Sequence, residues 1–109
     1  MIFKNKDIRE GKTIKFKGLQ NIYITINKDE DQNIREVFIN VCTSGTTLRG
    51  LCEALGRVIS VAIQHDHRLI SKIVKTLEGT ISEVCFRNGK YGKVESIPDA
   101  IAKVLKDEK

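Results

Sequence analysis

Glu95-Ser96-Ile97-Pro98-Asp99-Ala100-Ile101-Ala102-Lys103-Val104-Leu105 is the stretch on which the reading of this chain turns. Ser96 is an N-cap residue type, and Asp99 stands three positions on, where a capping box places Glu or Gln. Pro98 falls in the first turn, where a missing N–H costs nothing. Ile97, Ile101, Val104 and Leu105 then repeat at helical spacing. A capped amphipathic helix therefore closes the chain, and its apolar face requires a partner surface.

Upstream segments supply that surface. Thr13–Lys17 alternates apolar and polar residues, as does Ile22–Ile26, with Ile22, Ile24 and Ile26 on one face. Glu36–Val41 reads as a third strand, and Asn27–Asn33 as the hairpin loop before it. The acidic cluster Asp29-Glu30-Asp31 lacks the central glycine and terminal glutamate of an EF-hand loop, so it reads as a solvated turn. A long helix follows over Thr46–Gln64, with Leu48, Leu51, Cys52, Leu55, Ile59, Ala62 and Ile63 as its main apolar stripe. Gly50, Ala54 and Val61 recur on the opposite face beside Arg57, which suggests a helix packed on two sides. Gln64–Arg68 reads as a turn. Leu69–Leu77 reads as a second helix ended by Gly79 at C′. Ile81–Phe86 suggests a fourth strand, and Asn88-Gly89 signals a hairpin turn within Arg87–Lys93. The expected fold is a single α+β domain spanning residues 1–109, an antiparallel sheet packed against two to three helices.

At 109 residues the chain has material for one core. No apolar run approaches the roughly 20 residues of a membrane span, and the first residues lack the apolar core of a signal peptide. The expectation is a cytoplasmic protein with no membrane partner. The cysteines Cys42, Cys52 and Cys85 are odd in number and form no Cys-x-x-Cys pair, which argues against a zinc knuckle or a thioredoxin-like site. Cys52 reads as a small core residue. The net charge of +5 favours anionic partners or reflects surface lysine.

Several places invite chemistry. Cys42-Thr43-Ser44-Gly45-Thr46-Thr47 joins a strand to the long helix. Free N–H groups at a helix start, the hydroxyls, the freedom of Gly45 and Arg49 one turn in suit a phosphate. Plain capping by Ser44 or Thr43 is the other reading, and the loop is not a Walker sequence. Arg57 on a small-residue face suits an anion held at an interface, or simply lies over its neighbours at the surface. Phe86, Arg87 and Asn88 beside Lys90 and Tyr91 suit a stacked base with its phosphate clamped, or form an ordinary hairpin tip. His65-Asp66-His67 sits in a turn without a third ligand placed by sequence, so no metal site is expected. No catalytic constellation stands out, no cofactor is implied, and a binding protein is expected over an enzyme. No RNA-binding aromatic motif or helix-turn-helix pattern is visible, which argues against nucleic acid as partner.

The closing stretch resembles the Thr-Ser-Cys-Pro-Asp motif that names the TSCPD domain, found at the C-terminal end of many cobalamin-dependent ribonucleotide reductases. The resemblance extends through Gly11-Lys12-Thr13, Ile22–Asn27, Glu36–Asn40, Ser44-Gly45-Thr46, Glu53–Ser60 and Leu77-Glu78-Gly79. It implies a domain that, in the large reductases, lies outside the catalytic barrel, with extra cysteines suggesting a redox or metal role. Here Ile97 stands at the motif cysteine, and Lys17-Gly18-Leu19-Gln20 stands where a cysteine-bearing turn is usual. Cys85 is the one nearby candidate thiol, so that chemistry is not carried over.

In size, layout and lone-domain form the chain is also similar to the first anti-Thoeris sponge family of phage. Those proteins capture cyclic ADP-ribose-type signals and cyclic oligonucleotides in oligomers. That similarity implies a non-catalytic homo-oligomer that sequesters a small phosphorylated nucleotide, in the host cytoplasm if phage-encoded. Its ligand residues would be Ser44, Gly45, Thr46, Thr47, Arg49, Arg57, Phe86, Arg87 and Asn88. The alternative is an accessory or regulatory subunit of ribonucleotide reductase.

Overall fold

Period-two alternation is realised in three strands: β1 (Glu10–Phe16), β2 (Ile22–Lys28) and β3 (Ile34–Val41). The computed structural model describes residues 10–42, 46–82 and 84–109. The strands form an antiparallel sheet in the order β1-β2-β3. Phe16 pairs with Ile22 and Ile22 with Val41, while Ile26 pairs with Val37. One face of the sheet is therefore Ile14, Phe16, Ile22, Ile24, Ile26, Val37, Ile39 and Val41, all buried. Beyond Asn27 the register of β2 against β3 shifts, so that Lys28 meets Ile34 and Ile34 also reaches the core. The loop between them is held by Asp29, whose carboxylate accepts from the Asp31 and Asn33 N–H groups and from Arg35 Nε at 2.8 Å. The acidic turn expected there is present.

Three helices follow: α1 (Thr46–His65), α2 (Leu69–Leu77) and α3 (Ile97–Glu108). Between α2 and α3 lies a small hairpin of β4 (Phe86–Asn88) and β5 (Gly92–Val94). The closing helix occupies the centre of the core: Ala100, Ile101, Ala102, Val104 and Leu105 are all buried. It packs mainly against α2 and also touches β2 and β5. The architecture is the expected single α+β domain. No helix among the described residues is long and apolar enough to cross a membrane.

The expected apolar stripe of α1 is largely met: Cys52, Ile59 and Ile63 are buried and Leu48 and Leu55 pack against the core, whereas Leu51 is 65% exposed. The helix also lies along the free edge of β3. Ser60 Oγ accepts the Val37 N–H at 2.9 Å, and Gln64 Nε2 donates to the Arg35 carbonyl at 2.8 Å. A Cβ on Gly56 would stand 2.9 Å from the Val37 carbonyl oxygen. Gly56, Ser60 and Gln64 recur every fourth residue, about 6 Å apart along a helix. That rise nearly matches two residues of a strand, about 6.6 Å. One helical stripe thus supplies polar partners, or close approach, to successive outward-facing backbone groups of an edge strand that would otherwise be open to pairing.

The strand expected over Ile81–Phe86 does not form at its predicted bounds. Regular pairing begins only at Phe86, and Ile81 is 79% exposed. The Val84 carbonyl accepts the Ser82 hydroxyl at 2.8 Å. The hairpin expected after it is present, with a loop of Gly89–Tyr91 because Asn88 pairs with Gly92. Asn88 Oδ1 accepts the Lys90 and Tyr91 N–H groups, and Gly92 supplies the positive φ of 70°.

Candidate functional site

The Ser96–Asp99 helix start is a structural hub. Ser96 Oγ accepts the Asp99 N–H at 3.1 Å and donates to the Thr80 carbonyl at 2.6 Å. Asp99 does not close the usual box on the N-cap N–H. Its Oδ2 accepts from Glu95 N–H and its Oδ1 from Gly79 N–H, both at 2.8 Å, with Lys103 Nζ at 3.2 Å. Gly79, at φ 78° past the end of α2, is thereby tied to the start of α3. Burial pushes the Asp99 carboxyl upward, but the two N–H donors and Lys103 outweigh it and hold the group below the ordinary carboxylate value.

A basic depression runs along β1 and the β4–β5 hairpin. Lys17 and Arg87 exchange backbone hydrogen bonds of 2.7 Å in both directions, extending β1 onto β4. Asn88 Nδ2 donates to the Lys15 carbonyl at 2.9 Å and locks the junction. The result is a concavity of about 340 Å³ lined by Lys15, Lys17, Arg87, Asn88, Gly89 and Gly92. It continues into a second of about 250 Å³ that shares Lys15 and Asn88 and adds Lys12, Lys90 and Tyr91. Lys12 is paired with Glu108 and Lys90 with Asp107. Lys15, Lys17 and Arg87 have no carboxylate partner among the described residues. Three positive groups thus surround one hollow without neutralisation, which favours an anion there. Tyr91 forms the floor at the other end: its hydroxyl donates to Asp107 at 2.9 Å, and its ring lies 5.8 Å from that of Phe16. Burial and the Asp107 carboxylate push the Tyr91 phenol upward, so it stays protonated.

On the other side of the Lys17–Gln20 turn lies an apolar cavity of about 370 Å³. Leu48, Leu55, Phe86, Val84, Ile97 and Pro98 contribute to its walls. Cys52 also lines it, and burial pushes that thiol upward. Ile97, at the motif cysteine position, and Leu19 and Gln20, in the turn where cysteines are usual, face the same hollow. Its lining contains no Asp, Glu, Lys, Arg or His among the described residues. Cys42 and Cys85 are exposed and free.

The residues expected to bind ligand are not gathered in one place. Ser44 and Gly45 lie outside the described residues. Thr46 opens α1, and Thr47 and Arg49 are exposed in its first turn. Arg57 is 75% exposed and paired with Glu53 at 2.6 Å. Phe86 is buried, with its ring so close to Gly18 that a Cβ there would stand 2.5 Å from it. Asn88 has its amide and carbonyl engaged in the turn and the strand junction. Arg87 alone of that trio projects a free group into the depression, while α1 lies at the opposite edge of the sheet against β3. Asp66 of the His65-Asp66-His67 turn is paired with Arg68 at 3.0 Å. Lys15 and Lys17 were missed by sequence reasoning. Their spacing of two on an exposed strand face was visible, but not their meeting with Arg87.

The fold and the Ser-Ile-Pro-Asp helix start define a small α+β domain organised around one capped, buried helix. The chain belongs to the TSCPD domain family, whose pattern it matches over residues 2–109. No curated protein and no solved structure gave a significant match.

Proposed function

We propose that this chain is a non-catalytic binding protein for a small phosphorylated nucleotide. The observation that carries the reading is the hollow ringed by Lys15, Lys17 and Arg87, three cations without carboxylate partners among the described residues. Phosphate would lie against these side chains, with Arg87 able to offer two parallel N–H donors. A planar base would extend toward Tyr91 and Lys90, whose ammonium stands 5.5 Å from that ring centroid. Neither concavity holds a pair of groups suited to proton transfer or nucleophilic attack, so binding without turnover fits the site best. The ligand class is that of cyclic nucleotide immune signals, of the cyclic ADP-ribose or cyclic oligonucleotide type, sequestered as a phage counter-defence.

The test is incubation with a panel of such nucleotides, removal of free ligand, heat release and mass spectrometry. Intact ligand from the wild type and none from Lys17→Glu/Arg87→Glu supports the reading. No retention across the panel, or release of an altered ligand, overturns it. Loss through Arg49→Glu alone moves the phosphate to the start of α1. Membership of the TSCPD family favours one other reading, a regulator of ribonucleotide reductase. Co-purification with a reductase large chain, and a change in its activity on adding this protein, distinguishes that role.

A further inference from the structure

The three-stranded sheet has a covered face, where Ile14, Ile24 and Ile39 are buried. Alternation turns the intervening residues to the other face, and the register sets them in rows. Lys15 lies opposite Tyr23 and Tyr23 opposite Asn40; Thr13 lies opposite Thr25 and Thr25 opposite Phe38. Tyr23 and Phe38 are thus diagonal neighbours on adjacent strands, roughly 7–8 Å apart at the backbone. Phe38 is 43% exposed and Tyr23 half-buried, while Lys15, Lys17 and Asn40 are exposed. Lys15 Nζ stands 6.0 Å from the Tyr23 ring centroid. Glu36 is the acidic side chain that the described strands place on this face, and it stands at the far end, where Asn27 Nδ2 donates to it at 3.2 Å.

We propose that this face binds single-stranded nucleic acid, with bases stacked on Tyr23 and Phe38 and phosphates beside Lys15 and Lys17. Charge and ring chemistry together select the occupant. A protein partner would find one well-exposed ring hemmed by cations, an amide and hydroxyls, with little apolar area to bury. A polyanion whose units carry planar rings matches both halves of the pattern. Aromatic rings offer sequence-tolerant stacking, ammonium groups hold phosphate, and Asn40 can donate to or accept from a base edge. At the outer limit of a cation–π contact, Lys15 yields the Tyr23 ring to a base at little cost. A duplex keeps its bases stacked on one another and offers these rings no free face, so the strand must be single. The net charge of +5 draws such a strand in. This departs from the expectation against nucleic acid, which rested on the lack of a linear aromatic motif. The two rings come from different strands, and only the register sets them side by side. The proposal does not depend on a small nucleotide filling the hollow, although Lys15 and Lys17 border both.

Fluorescence anisotropy at about 50 mM salt reads the outcome, with labelled oligo-dT and oligo-U of about 12 nucleotides. The wild type binds both, and more tightly than a duplex of the same length. Phe38→Leu and Tyr23→Leu keep apolar bulk but remove the flat ring, and each raises Kd about fivefold or more. Phe38→Trp and Tyr23→Phe keep a ring and bind as the wild type does. Lys15→Gln lowers the slope of log K against log salt by about 0.7, the share of one phosphate contact on a single strand. Phe38→Leu melts near the wild-type temperature because its side chain is exposed, so its loss of binding is not a loss of fold. No binding of either oligonucleotide, a preference for the duplex, or binding indifferent to both leucine variants overturns the proposal. A dimer in sedimentation velocity that Phe38→Leu breaks, without oligonucleotide binding, overturns it too and assigns the face to a second copy. The small-nucleotide reading is judged separately, by the nucleotide panel and Lys17→Glu/Arg87→Glu.

Discussion

Asp99 shows how one side chain can hold a fold together. Its two oxygens accept the N–H groups of Gly79 and Glu95, one beyond the end of α2 and the other before the start of α3. Removing the charge leaves those donors poorly matched in a position only 2% exposed. Asp99→Asn is expected to cost about 2–3 kcal/mol at neutral pH, measured by urea unfolding. The pH dependence has a definite sign. A carboxyl held below its unfolded value, about 3.9, contributes fully above that pH and loses its contribution as pH falls through the folded value. The gap between Asp99→Asn and wild type should therefore be widest near pH 7 and narrow toward pH 3.

The element that the structure uses least predictably is α1. A glycine inside a helix ordinarily costs about 1 kcal/mol against alanine, so Gly56→Ala would stabilise an isolated helix. Here the added Cβ would meet the Val37 carbonyl at 2.9 Å and Ile39 Cδ1 at 3.4 Å. The expected outcome in the folded protein is a loss of about 1–3 kcal/mol, read by thermal or denaturant unfolding. Ser60→Ala tests the same edge chemically. It removes the acceptor of the buried Val37 N–H and should also cost about 1–3 kcal/mol. A Ser60→Ala protein as stable as wild type would show that water replaces the hydroxyl at this edge.

At the scale of the whole molecule, charge is divided between fixed pairs and an open hollow. Asp29 with Arg35, and Glu108 with Lys12 and Lys28, are carboxylates held below their ordinary values, like Asp99. For Asp29, burial opposes the shift and the hydrogen bonds from Arg35 and the turn overcome it; for Glu108, the hydrogen bond from Lys12 leads. Stability should be nearly flat from neutral pH downward until about pH 4, then fall as these groups protonate. Thermal melts across that range check the sign. The open cations Lys15, Lys17 and Arg87 predict the opposite kind of sensitivity. Retention of a phosphorylated ligand should weaken as salt rises, because exposed charges are screened over about 10 Å at 0.1 M. Fold stability should change little over the same salt range, since the core is apolar.

Local information determined much of this protein. Alternation in Ile22–Ile26 sufficed for a strand, Ser96-x-Pro-Asp for a helix start, and Gly79 for a helix end, because each depends on neighbours within a few residues. The family pattern was legible for the same reason. Tertiary structure alone decided what these elements touch. It set α1 on the β3 edge through Gly56, Ser60 and Gln64, beside the buried Cys52, Ile59 and Ile63 that the periodicity already showed, because an edge strand needs hydrogen-bonding partners and close approach as well as apolar cover. It began regular pairing only at Phe86 and left Ile81 79% exposed. It buried Phe86 and left Arg87 outside, and it brought Arg87 beside Lys15 and Lys17 from the far end of the chain. Pairings between residues some seventy positions apart carry no local periodicity, so only the folded backbone can reveal them.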